Sequence, residues 1–107
     1  MKDMMGLMKK AQEMQTRMGQ VQAELESATV IGAAGGGMVK VTLTATGNMR
    51  AISIDPSLLK TDEQEMLEDL ILSAHEDARR KGAALSEEKM RVVTAGMPMP
   101  PGMKLPF

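Results

Sequence analysis

Val39-Lys40-Val41-Thr42-Leu43-Thr44-Ala45-Thr46-Gly47-Asn48-Met49-Arg50-Ala51-Ile52-Ser53-Ile54 is the stretch that decides the fold. Val39, Val41, Leu43 and Ala45 alternate with Lys40, Thr42, Thr44 and Thr46, the period of two expected of a strand with one buried and one wet face. Gly47-Asn48 reads as a two-residue hairpin turn, because both residue types reach the positive φ such turns require. Beyond it, Arg50, Ile52 and Ile54 alternate with Met49, Ala51 and Ser53. Asp55-Pro56-Ser57 stops that strand, since proline cannot donate to a ladder and aspartate before it favours a tight turn. On the other side, Thr29-Val30-Ile31 predicts a short strand closed by Gly32, and Gly35-Gly36-Gly37 turns the chain towards Val39. Three strands joined by short turns predict an antiparallel meander.

Both flanks of the meander are helical. Met4, Leu7, Ala11, Met14, Met18, Val21 and Leu25 recur in alternating steps of three and four, the 3.5-residue period of a coiled-coil seam. At about 1.5 Å per residue this helix is roughly 37 Å long, against a radius of gyration of about 13 Å for a compact chain of about 100 residues. Much of it must therefore project from the body or pack on another long helix. After the strands, Thr61 and Gln64 have capping-box spacing, and Asp62, Glu63 and Glu65 suit the positive end of a helix dipole. Leu67, Leu70, Ile71, Ala74 and Ala78 continue an apolar face, with helix expected to about Val93. Pro98, Pro100, Pro101 and Pro106 then forbid helix.

The expected fold class is α+β: a long helix, a three-stranded antiparallel sheet and a second long helix. Residues 1–96 form one domain and residues 97–107 a Pro/Met-rich C-terminal tail. Two helices only partly cover such a sheet, so pairing of two copies across a two-fold axis, with helical arms projecting, is the expected remedy. Val39, Val41, Leu43, Ile52 and Ile54 are the residues expected at that dimer interface.

Composition narrows the function. The 107 residues contain no Cys, which removes disulfides, Cys-based zinc sites and Cys nucleophiles. No apolar run is long enough for a signal-peptide core or a spanning helix, so a cytoplasmic protein without a membrane partner is expected. Thirteen Met and the single aromatic Phe107 imply an adaptable aliphatic core and no stacking platform for single-stranded nucleic acid. Any nucleic-acid partner is expected to be duplex. Net charge is −1 but segregated. Residues 1–22 carry Lys2, Lys9, Lys10 and Arg17 against Asp3 and Glu13, while Lys60 faces six carboxylates in residues 55–72. Residues 75–107 are basic again.

Catalytic signatures are absent. His75-Glu76-Asp77-Ala78-Arg79 lacks the second histidine of a zinc-protease helix, and Met38-Val39 stand where a phosphate-binding loop from Gly32 would need Lys and Ser/Thr. No catalytic set, metal, cofactor or small-molecule substrate is expected.

Four blocks carry a resemblance: Gly35-Gly36-Gly37-Met38-Val39-Lys40-Val41, Ile52-Ser53-Ile54-Asp55-Pro56-Ser57-Leu58-Leu59, Glu65-Met66-Leu67-Glu68-Asp69-Leu70-Ile71 and Pro100-Pro101-Gly102-Met103-Lys104-Leu105-Pro106-Phe107. In that order they resemble the YbaB/EbfC family of bacterial nucleoid-associated proteins. Met103 departs from it, since many members have an aromatic residue there. The resemblance implies a tweezers-shaped homodimer that binds double-stranded DNA through its helical arms and alters its shape or compaction. It also implies a place in the nucleoid and a role in gene regulation. Lys9, Lys10, Arg17, Arg79, Arg80, Lys81, Lys89 and Arg91 are then the expected phosphate contacts. The rival reading is a protein-interaction adaptor that docks through its Met-rich helix or acidic segment, with DNA contact incidental.

Overall fold

The chain runs α1 (Lys2–Ser27), β1 (Thr29–Ala34), β2 (Val39–Thr44), β3 (Met49–Ile54) and α2 (Gln64–Ala95), with 3-10 turns at Gly35–Gly37, Pro56–Leu58 and Thr61–Glu63. This computed structural model describes residues 2–95, and the expected tail at 97–107 lies outside the described residues. The strands form one antiparallel sheet in the order β1-β2-β3.

Val39 stands opposite Ala34 and Ile54, and Val41 opposite Gly32 and Ile52, so these residues share one face of the sheet. α2 lies on that face. Val39 and Val41 are 0% exposed and Leu43 1%, packed with Leu58, Ala74 and Ala78. Burying each such Val or Leu contributes about 1.5–3 kcal/mol, which makes β2 the anchor of the subunit.

Gly32 does not close β1. The strand continues to Ala34, and Gly32 is where α2 crosses it. A Cβ at Gly32 would lie 2.1 Å from the carbonyl oxygen of Ala74 and 2.3 Å from the backbone nitrogen of Ala78. The absence of a side chain there, with alanines one turn apart on the helix, lets the two backbones approach.

The β2–β3 connection is longer than the sequence predicts. Residues 45–48 form a four-residue loop in which Thr44 N–H donates to Asn48 O at 2.7 Å and Gly47 N–H to Thr44 O at 2.9 Å. The cause is Thr44, which is buried although it falls on the polar side of the alternation. Its hydroxyl oxygen accepts from Asn48 N–H at 3.0 Å and meets the Thr46 hydroxyl at 2.8 Å, tying the loop to the strand end. The register then slips between Thr42, opposite Ala51, and Leu43, opposite Met49, leaving Arg50 as the extra residue of a bulge.

The expected capping box is not formed either. A 3-10 turn, Thr61–Glu63, precedes α2 and has no side-chain cap hydrogen bond. The turn at Pro56 is better held: Asp55 accepts from Ser57 N–H at 2.9 Å, which keeps its carboxyl below the usual range.

The seam of α1 is only half covered. Val21 and Leu25 are buried against Val93, with Met18, Leu85 and Met90 packed beside them. Met4 and Leu7, in the same stripe, remain 68% and 66% exposed, because α2 runs beside the C-terminal half of α1 alone. The subunit is accordingly elongated, 72 × 26 × 16 Å with a radius of gyration of 19.8 Å.

Candidate nucleic-acid interface

Packing on α2 fixes the outward face of α1 from Met18 to its C-terminal end. Lys9, Gln12, Glu13, Thr16, Arg17 and Gln20 line a shallow furrow along the helix. Residues 9, 13, 16 and 20 recur in steps of four, three and four, a stripe roughly opposite Leu7, Ala11, Met14 and Met18. From Met18 onward the apolar seam packs on α2 and the polar stripe faces solvent, whereas nearer the N-terminus of α1 both faces are exposed. Towards the body the furrow continues past Arg17, Gln20 and Glu24 to Lys89 and Val92 on α2. From Lys9 to Glu24 it covers roughly 22 Å of helix.

The eight expected cations fall into two groups. Lys9, Lys10 and Arg17 have no ion-pair partner among the described residues. Those of α2 are all engaged. Arg79 holds Glu76 through two of its guanidinium nitrogens, Nε donating to Oε2 at 2.9 Å and Nη2 to Oε1, which lowers the Glu76 carboxyl and raises the guanidinium. Arg80 stands 3.8 Å from Asp77, and Arg91 stands 3.0 Å from Glu88. Lys89 reaches across to Glu24 of α1 at 3.1 Å. Exposed pairs of this kind contribute only about 0–1 kcal/mol, so a phosphate could displace the carboxylate partner.

Lys81 differs from its neighbours. It pairs with Asp77 at 3.1 Å and donates to the carbonyl oxygen of Ile31 at 2.8 Å, while Asp77 accepts from Ala33 N–H at 3.0 Å. These two side chains, one turn apart on α2, grip the outer backbone of β1. The Ala33 hydrogen bond is the main reason the Asp77 carboxyl is held below its usual range, with Lys81 next.

Arg17 and Lys89, far apart in sequence, meet in the furrow. Arg79 instead borders a separate notch with Gln22, Thr46, Gly47 and Ser86, and Lys81 sits at the sheet edge. Gln12, Thr16 and Gln20 line the furrow although charge patterning passes over them; their four-residue spacing is the signal that finds them. His75 is half-buried on α2, and the described residues contain no group of three or more His, Asp or Glu side chains able to hold a metal. No helix among them is long and apolar enough to cross a membrane.

Of the five residues expected at a dimer interface, Val39, Val41 and Leu43 are already closed off under α2 in the single subunit. Ile52 remains 44% exposed and Ile54 half-buried on β3, beside an exposed Met49. β3 has a strand on one side only.

Comparison with known proteins places this geometry. The sequence model of the YbaB/EbfC DNA-binding family matches residues 1–97. A nucleoid-associated protein of Methylocella silvestris is 60% identical over 107 residues, and one of Agrobacterium fabrum 56%, each alignment covering all of both chains. Among solved structures, an uncharacterized protein of Helicobacter pylori superposes with a TM-score of 0.65 at 23% identity, covering 89% of this chain and 94% of that one, a likeness of fold.

Proposed function

Since the chain belongs to the YbaB/EbfC DNA-binding family, a nucleoid-associated rather than enzymatic family, we propose that it binds double-stranded DNA as a homodimer through phosphate contacts. It does so in the cytoplasm, on the nucleoid, and it alters DNA conformation or compaction and thereby gene expression. The observation that carries the reading is the outward furrow of α1, whose Lys9 and Arg17, with Lys10 beside it, have no carboxylate partner among the described residues. Cations already balanced within the protein gain less from a phosphate than cations facing water alone. The arm of α1 is therefore the principal contact. Lys89 adds to it at the body end of the furrow, and Arg79, Arg80 and Arg91 contribute less. Ile52, Ile54 and Met49 on β3 supply the apolar surface for the second copy, while Val39, Val41 and Leu43 support it from within the subunit.

The test is a salt titration of binding to random duplex. With three cations on each of two arms, about six phosphates are neutralised, and log affinity falls with log salt at a slope near −5, from about −0.9 per phosphate. Reversing Lys9, Lys10 and Arg17 to Glu flattens the slope and weakens binding to all sequences alike, with the dimer retained in sedimentation. Reversing Arg79 and Arg80 has the smaller effect. Wild-type binding by the α1 variant at every salt concentration would sink the arm reading. It would favour the adaptor, for which the exposed Met4, Met5, Leu7 and Met8 are the specific support.

A further inference from the structure

The furrow of α1 is not uniformly basic. Lys9 and Arg17 mark two points about 12 Å apart along the axis, and between them lie Gln12, Glu13 and Thr16, with Gln20 following. At about 3.4 Å per base pair that span corresponds to three or four pairs. Glu13 makes no ion pair among the described residues. A carboxylate centred between two phosphate-binding cations cannot itself face a phosphate, whereas it can accept from the exocyclic amine of cytosine at a base edge. The Thr16 hydroxyl donates to the carbonyl of Gln12 at 3.0 Å, so the amides of Gln12 and Gln20 are the neutral groups free to form new hydrogen bonds. An amide offers one donor and one acceptor side by side, matching N7 and the N6 amine of adenine in the major groove. The helix that carries them is about 10–12 Å across with its side chains, and the major groove is about 12 Å wide.

We propose that α1 enters the major groove and that Gln12 and Gln20 read adenine there, giving the protein a sequence preference beyond its phosphate contacts. The proposal rests on the DNA-binding reading and names the bases that the same furrow contacts. Both glutamines are exposed on a helix, where alanine is at least as good a helix former, so a variant with both replaced keeps the fold.

The experiment compares two duplexes of the same sequence, one with every adenine replaced by 7-deazaadenine, which lacks the N7 acceptor. Full-length wild-type protein is expected to bind the modified duplex about tenfold more weakly, within the range that a bidentate base contact discriminates. The Gln12→Ala/Gln20→Ala variant is expected to bind both duplexes equally, with the phosphate-driven salt slope unchanged. Equal wild-type affinity for the two duplexes, or a variant that still discriminates, overturns base reading while leaving DNA binding intact. Failure to bind either duplex overturns both readings together.

Discussion

Adding one methyl group at Gly32 tests the docking of α2 on the sheet. The new Cβ of Gly32→Ala would sit 2.1 Å from the Ala74 carbonyl oxygen, where even tight contacts of real Cβ atoms lie at or above 3.0 Å. The obstacle is helix backbone, which has no rotamer to adopt, so α2 must lift by about an ångström or more. A radial gap of 0.5–1 Å forfeits roughly a quarter to a half of the dispersion well of each contact. Val39, Val41 and Leu43 lie under the helix, each worth about 1.5–3 kcal/mol when buried, so that loss is about 1–4.5 kcal/mol. Overpacking strain adds about 1–3 kcal/mol, and the expected total is about 3 kcal/mol or more. At about 4–8 °C per kcal/mol for a domain of this size, the thermal midpoint should fall by roughly 12–24 °C. Gly19→Ala is the internal control, because nothing lies within 4 Å of its Cβ position and the site is an exposed helix interior. It should gain about 0.5–1 kcal/mol. Both variants are to be melted at one protein concentration, since association shifts the midpoint by mass action. A Gly32→Ala protein as stable as the wild type would refute the close approach of α2 and β1.

Leu43→Asp places an unpaired carboxylate at a 1% exposed site and should abolish the cooperative thermal transition, at a cost of several kcal/mol. Lys81→Met should destabilise the fold while leaving the salt slope of DNA binding unchanged, because Lys81 holds the backbone of β1; a flattened slope with stability intact would reverse that assignment. Asp55, Glu76 and Asp77 all have carboxyls held below their ordinary values of 3.8, 4.5 and 3.8 by interactions of the folded state. The stability they supply is present above those ordinary values and is lost as pH falls through the lower folded ones. Denaturation midpoints should therefore change little from these groups between pH 7 and pH 5 and drop below about pH 4, less steeply in Asp77→Asn.

What was legible in the sequence was periodicity. The alternation of Val39, Val41 and Leu43 and the heptad from Met4 to Leu25 identify strand and helix because side-chain geometry imposes those periods. Gly32 looked like a strand terminator because its reason lies on α2, forty residues away in the chain. The Gly47-Asn48 turn was read too short because the burial of Thr44 is decided by tertiary packing. In the candidate interface, Glu76 with Arg79 and Glu88 with Arg91 are spaced to pair within one helix, so the neutralised character of those cations was readable. The meeting of Lys89 with Glu24 was not, since only the packing of α1 on α2 joins them.

The grip of Asp77 and Lys81 on β1 bears on how many copies can join. A sheet with two open edges can recruit neighbours on both sides and grow without limit into fibres. Here one margin has its outward donor at Ala33 and acceptor at Ile31 already satisfied by side chains of the same subunit. These two contacts hinder strand addition at the β1 margin and leave the β3 margin open, an arrangement that would favour pairing through β3 over open-ended growth. If the proposed homodimer forms through β3, the strands it leaves at the outside would be the two β1 margins held by Asp77 and Lys81, which would disfavour further strand addition.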